Sequence, residues 1–254
     1  MNLNDVEKMF NLVKSSSCTA VLTGAGVSTD SGIPDYRSPG TGLWKKMDQS
    51  VVSLQGFLAR PQDYYSYSLE LYPIRKEAKP NKVHTFLAEL ETKGFVSGLM
   101  TQNVDGLHKE AGSKKVYELH GSLKEGYCLS CNSIKPMEEV IEQVENGKNP
   151  PTCDLCDGII KPKAVFFGES LPEKEWQFAM ELTEKADLLI VLGTSLQVYP
   201  VNTFPQIAVN NGAGLVIVNM QATPFDKVAD LVIHEGLDLV FTELERLFAE
   251  KTGE

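Results

Sequence analysis

The sequence predicts an α/β protein built on a doubly wound parallel sheet and interrupted by two insertions. Three observations lead there. Short apolar runs, each followed by turn residues or a helical pattern, recur along the chain as buried parallel strands do. A glycine pair follows the first of these runs at once. Two segments, 36–79 and 121–160, break the alternation of strand and helix.

Taken in order, residues 1–16 read as an amphipathic helix with Leu3, Val6, Met9, Phe10 and Val13 on one face, and not as a signal peptide. The run CTAVLT (18–23) predicts the first strand, with Cys18 as a small buried apolar residue in it. Gly24 and Gly26 follow as in a Rossmann-like dinucleotide turn, where a third small residue normally lets a long helix pack on the strand. Thr29 holds that third place, and Gly32 and Pro34 end any helix within about two turns. From 36 to 79 the pattern suggests two or three helices, broken at Pro61 and Pro73. Helical patterns follow at 81–93, 172–185 and 237–250, and strands at FVSGLM (95–100), KVYELH (115–120), AVFF (164–167), DLLIVLG (187–193) and GLVIVN (214–219). The chain thus divides into a Rossmann-like domain (1–35, 80–120 and 160–254), a flap with a helical insertion (36–79) and a small module (121–159).

Bulk properties exclude several classes. A net charge of −10 argues against nucleic-acid binding, which needs basic surface. No apolar run reaches the roughly 18 to 20 residues of a membrane span. Free cysteines and no leader predict a cytoplasmic protein.

The remaining four cysteines are paired: Cys128 and Cys131 in CLSC, Cys153 and Cys156 in CDLC. Two Cys-x2-Cys turns offer four thiolates to one tetrahedral zinc ion, which leaves no open position for substrate, so the zinc is expected to be structural.

Three polar stretches sit where strands end. TQNVDGLH brings Gln102, Asn103 and Asp105, LHGS brings His120, and LGTSLQVYP brings Gly193, Thr194 and Ser195. Asn219 ends a further strand and suits ribose hydroxyls. In open α/β sheets that edge binds ligands. Asp105 alone could be a helix cap, and His84, His108 and His234 carry no such company. A dehydrogenase would want an intact fingerprint helix and an acidic residue about 20 positions on, and a P-loop enzyme would want Gly-Lys-Ser/Thr. Neither is present. A short glycine loop beneath the segment GIPDYRS suits a dinucleotide that is gripped and cleaved.

The stretches GAGVST, GIPDYRS, TQNVDGLH, HG, both cysteine pairs, VFFGE (165–169), GTSLQVYP and VN (218–219) together resemble the sirtuins of bacterial or archaeal type, NAD-dependent protein-lysine deacylases, along nearly the whole chain. One departure is Tyr36, where the flap motif usually has phenylalanine. The resemblance implies NAD as a consumed co-substrate, held by Gly24, Ala25, Gly26, Thr29, Asp35, Tyr36, Arg37, Gln102, Asn103, Val104, Asp105, His120, Gly193, Thr194, Ser195, Asn219, Leu237 and Asp238. Nicotinamide would lie near Val104 and Asp105. His120 and Asn103 would be catalytic, with His120 as the general base on a ribose hydroxyl at an ordinary imidazole pKa. An acylated-lysine protein or peptide would bind as an added strand along Val165, Phe166, Phe167, Gly168, Glu169 and Val198. Products would be free lysine, nicotinamide and O-acyl-ADP-ribose. No arginine follows Tyr64, Tyr65 or Tyr67 at the Tyr-x-x-Arg spacing of desuccinylases, so uncharged acyl groups are expected. The alternatives are a mono-ADP-ribosyltransferase on the same NAD site and a non-catalytic NAD sensor. A monomer is favoured, with no nucleic-acid or membrane partner.

Overall fold

The computed structural model describes residues 2–40, 42–45 and 48–252. After helix α1 (Leu3–Ser15), strand β1 (Thr19–Thr23) runs into a short 3-10 turn, Ala25–Ser31. Helices α2 (Leu54–Ala59), α3 (Pro61–Glu77) and α4 (Lys82–Thr92) precede β2 (Gly98–Thr101), α5 (Leu107–Glu110) and β3 (Val116–Glu118). The small module follows as β4 (Glu125–Cys128), β5 (Ile134–Pro136), α6 (Met137–Glu145) and β6 (Ile160–Pro162). The chain then returns through α7 (Glu173–Lys185), β7 (Leu188–Leu192), α8 (Phe204–Asn210), β8 (Gly214–Val218), β9 (Leu231–Ile233) and α9 (Leu237–Thr252).

The large sheet has the order β3-β2-β1-β7-β8-β9 with every neighbouring pair parallel. Counted within the sheet, this is the doubly wound order of dinucleotide-binding folds, and the order reverses between β1 and β7. Alternation along the strands feeds two cores. Val21, Leu188, Ile190, Val216 and Val218 face α1, α4 and α9, while Ala20, Leu22, Leu189, Val191, Leu215 and Ile217 face α7 and α8. A third cluster joins Phe57, Tyr64 and Tyr65 of the insertion to Cys128, Ile141 and Cys153 of the small module. No helix among the described residues is long and apolar enough to cross a membrane.

Several expectations are corrected. Leu3 is 56% exposed, since it opens α1 before the helix meets the sheet, whereas Val6, Met9, Phe10 and Val13 are buried. Cys18 precedes β1 and is half-buried. The break expected at Pro61 falls between α2 and α3, with Pro61 opening α3, but Pro73 lies inside α3 and does not break it. The amide missing at Pro73 falls on an exposed position, while Tyr64, Tyr65, Ser68 and Leu71 keep the other face packed. AVFF is not a sheet strand; it bends back at Gly168 (φ 92°) and keeps one isolated bridge, Phe167 to Ser53. β6 belongs to the three-stranded sheet β5-β4-β6, so that module extends past 159. The edge strand β9 and helix α6 have no counterpart in the sequence reading.

Candidate active site

The site is built at the carboxyl ends of the sheet strands, centred on the point where their order reverses. Gly24 N–H donates to Leu192 O (3.0 Å) and Gly26 N–H to Gly193 O (2.9 Å), so the loops after β1 and β7 touch backbone to backbone. A Cβ on Gly26 would lie 2.8 Å from Gly193 Cα, and one on Gly193, where φ is 59°, would lie 2.7 Å from Val27 N. The 3-10 turn that replaces a long helix ends at Gly32 with φ 88°. Gly193→Ala is therefore expected to destabilise the fold by more than about 1 kcal/mol and to weaken nucleotide binding. Thermal melts with and without NAD check it, and an unshifted Tm would contradict the contact.

Beyond the glycine turn, a flap closes the cavity. Asp35 accepts from the backbone of Arg37 (3.0 Å) and Ser38 (2.8 Å) and from the Ser38 hydroxyl. Its carboxylate is thus committed to its own turn. The Tyr36 ring packs on Trp44 (centroids 4.8 Å), which reaches Phe167 at 6.0 Å.

Asn103, 7% exposed, and Asp105 are held together by Ser28. Asn103 Nδ2 donates to Ser28 Oγ (3.1 Å), and Ser28 Oγ donates to Asp105 Oδ2 (2.8 Å). Behind Ser28 lies His84 Nε2 at 3.5 Å. Asp105 lines a small side pocket with Ser28, Ile33 and Val104, next to the main cavity. Gln102 Nε2 donates to Thr194 Oγ1 (3.0 Å) and ties β2 to the loop after β7.

His120 Nδ1 lies 3.1 Å from Gln102 O. A carbonyl only accepts, so Nδ1 carries the proton and Nε2 is left as an acceptor. Burial lowers the His120 pKa below the usual 6.5, and the bond to Gln102 offsets part of this.

The far wall is the loop after β6. Val165 N–H donates to His120 O (2.8 Å). Phe166 is 4% exposed and packs on Phe57 (5.4 Å) and Tyr64 (5.1 Å), whereas Phe167 is 47% exposed. The Glu169 carboxylate turns inward, accepting from Phe166 N (2.7 Å) and pairing with buried Lys161 (2.8 Å).

All these walls enclose one cavity of about 560 Å³. It gathers Gly24, Ala25, Gly26, Thr29, Asp35, Tyr36, Arg37, Gln102, Asn103, Val104, His120, the 165–169 loop, Gly193, Thr194, Ser195, Val198, Asn219 and Leu237. Two expected residues are not in its lining: Asp105, in the side pocket, and Asp238, which is exposed at the start of α9. The cavity also contains Tyr64, Tyr67, Ser68 and Arg75 of α3. Ser28, Trp44, Lys161 and Arg75 went unread as site residues. Ser28 stands in a quoted motif and Arg75 follows Tyr72 at the Tyr-x-x-Arg spacing, but Trp44 and Lys161 carry no local signal.

Two histidines dismissed on sequence are fully packed. His84 (0% exposed) and His108 (2%) stack at 4.7 Å, and His108 Nε2 lies 3.0 Å from Thr23 Oγ1. Burial pushes His84 down to about 4, with Asp105 acting the other way, and burial with His84 pushes His108 to about 3. An unfolded chain takes up these protons near pH 6.5, so it binds more protons than the folded one below that value. Stability is expected to fall as pH drops from 6.5 toward 4, by up to about 1.4 kcal/mol per pH unit for each histidine. Melts from pH 7.5 to 5 test this; a flat Tm contradicts it. His234 sits away from this pair, with Nδ1 at 2.8 Å from Asn219 O and Nε2 at 3.2 Å from Asp226.

In the small module, Cys128 and Cys156 Sγ are 3.4 Å apart and Cys131 and Cys153 Sγ 3.7 Å, and all four sulphurs lie within 4.8 Å of one another. Zn–S bonds of about 2.3 Å at tetrahedral angles place sulphurs about 3.8 Å apart, so the quartet fits a structural zinc.

A parallel sheet in the dinucleotide-binding order, with a histidine lining a cavity at the carboxyl ends of its strands, is the class of fold and site that nucleotide-using enzymes share. The sequence pattern of the Sir2 family matches residues 24–200, and the chain belongs to that family. It is 45% identical over 249 residues to an NAD-dependent protein deacetylase of Thermotoga maritima, covering 98% of each chain. It is similar to a solved Sir2–p53 peptide–NAD+ complex (TM-score 0.89, 41% identity, 100% of each chain). It is also similar to a Sir2 variant with deacetylated p53 peptide and 3'-O-acetyl ADP ribose (TM-score 0.91, 43% identity, 96% of this chain and 98% of that one).

Proposed function

We propose that the chain is an NAD-dependent protein-lysine deacetylase that transfers the acyl group to ADP-ribose and releases nicotinamide. The observation that carries it is the meeting, in one cavity, of the glycine turn, the Tyr36 flap, His120 with a free Nε2 and the Phe166 loop. The NAD+ and peptide in similar structures support the same two ligands here.

In this reading, Gly24, Ala25, Gly26 and Thr29 meet the pyrophosphate from one side, and Gly193, Thr194 and Ser195 from the other. Asn219 and Leu237 take the adenosine, with Asp238 outside the contact. Asn103 and Gln102 order the second ribose. Asp105, aligned by Ser28, receives the carboxamide in the side pocket. Bound NAD supplies a nicotinamide leaving group and an electrophilic sugar carbon. Tyr36 and Arg37 cover that carbon and exclude water. His120 Nε2 takes the proton of a ribose hydroxyl once the acyl oxygen is in place. The peptide adds as a strand between 165–169 and the Val198 loop, and Val165, Phe166 and Val198 wall the lysine stem. The division into sheet domain, insertion and cysteine module, with β6 in the module, fits a cavity lined from the sheet loops, from α3 and from Leu123. The enzyme acts as a cytoplasmic monomer, and its net charge of −10 fits a protein substrate better than a nucleic acid.

The direct test is mass spectrometry of an acetyl-lysine peptide with and without NAD. Loss of acetyl in step with nicotinamide and acetyl-ADP-ribose supports the reading. NAD consumed with the acetyl retained favours ADP-ribosyl transfer, and NAD left intact favours a sensor. Because Arg75 lines the cavity and follows Tyr72 at the Tyr-x-x-Arg spacing, although neither cavity-lining tyrosine, Tyr64 or Tyr67, stands at that spacing from it, acyl choice needs its own comparison. Acetyl-lysine is expected to outrun succinyl-lysine in kcat/KM, and the reverse order would overturn the uncharged preference.

A further inference from the structure

Lys161 is 1% exposed and the chemistry above leaves it without a task. Its Nζ lies 3.1 Å from Pro162 O, 2.9 Å from Ala164 O and 2.8 Å from Glu169 Oε2. Those are three acceptors for the three N–H bonds of an ammonium. The Phe166 ring faces the same nitrogen, 4.1 Å from centroid to Nζ. The Glu169 oxygen that meets Lys161 also accepts the Phe166 N–H at 2.7 Å. Residues 162–169 are therefore wrapped around one buried cation and fastened at the far end by a carboxylate. On the outer side the loop is registered to His120 through Val165 and to the insertion through Phe167, whose N–H donates to Val52 O (3.0 Å) and whose carbonyl accepts from Leu54 N (2.9 Å).

A buried ion pair is weak evidence for stability, because burying both charges costs much of what their attraction returns. What this one does is select a single backbone path. Without the ammonium, the carbonyls at 162 and 164 lose their partner, and Glu169, which holds the Phe166 amide, loses its counter-ion.

We propose that Lys161 and Glu169 form a positioning pair that holds residues 163–168 as a preformed edge for the main chain of the acyl-lysine substrate. This rests on the deacetylase reading above. The pair acts through the loop, and the Glu169 carboxylate is turned toward Lys161 rather than toward the peptide.

Full-length, zinc-loaded Lys161→Met, Glu169→Gln and the double variant test it, with binding rather than turnover as the readout. Fluorescence anisotropy gives the Kd of a labelled acetylated peptide, competition gives that of Nε-acetyl-lysine amide, which lacks flanking residues, and melts give Tm. Lys161→Met is expected to lower Tm and to raise the peptide Kd about tenfold, with a smaller change for the amide. The double variant strands no charge, so its Tm recovers while its peptide Kd stays high. Recovery of both together, or equal losses for peptide and amide, overturns the proposal. Wild-type protein that binds the peptide without deacetylating it overturns the function and leaves the positioning pair intact. Wild-type protein that does not bind the peptide overturns both.

Discussion

His120→Ala is expected to lower kcat for acetyl-peptide turnover by about 10²- to 10⁴-fold, the usual contribution of a positioned general base. Exchange of labelled nicotinamide into NAD should persist, because in the proposed sequence His120 acts after nicotinamide has left. The pair of assays separates proton transfer from binding: loss of both activities would place His120 in an earlier step. In that role the imidazole is also expected to set the pH profile. Its pKa is lowered by burial, so Nε2 stays unprotonated to a lower pH than a free imidazole would. The acidic limb of kcat/KM should fall below pH 6.5. A limb above that value would mean that another group is titrating.

Removing the metal is expected to abolish activity although none of the four cysteines lines the cavity. Structural zinc in small peptides contributes roughly 10–16 kcal/mol of apparent binding, comparable to the whole stability of a domain. Cys128 and Cys153 are buried in the same cluster as Phe57, Tyr64 and Phe166, and the Tyr65 hydroxyl donates to Ile160 O at 2.6 Å. Loss of the module would therefore loosen Phe166 and the loop that faces His120. Cys153→Ser should carry less than one zinc per chain, melt at a lower temperature and lose deacetylation. A variant that keeps full turnover with no bound metal would show that the cysteines matter locally and not to the cavity.

Legibility in the sequence followed the range of the forces involved. β1, β7 and β8 were readable because burial on both faces makes a continuous apolar run. The cysteine quartet was readable because metal-ligand spacing is local chemistry. β9 was not, since Leu231–Ile233 is a three-residue edge strand whose pairing partner lies in β8. AVFF was misread for a related reason: periodicity cannot tell a sheet strand from a buried loop braced by a distant side chain. Lys161 sits in Lys-Pro-Lys, which reads as solvated surface, and only the tertiary fold closes Glu169 and two carbonyls over it. Arg75 reaches the cavity from two turns beyond Tyr67 along α3, helped by a helix that survives Pro73. His84 looked like an ordinary packed residue and is one, yet it backs Ser28, which holds Asn103 and Asp105.

The bond between Val165 N–H and His120 O runs through the main chain, and every residue at position 120 carries that carbonyl. Deleting the imidazole therefore leaves the loop registered. On the proposed role of His120, the His120→Ala protein is expected to keep binding an acylated peptide while failing to turn it over. Immobilised, such a variant would serve as an affinity reagent for the acylated proteins that this cavity accepts.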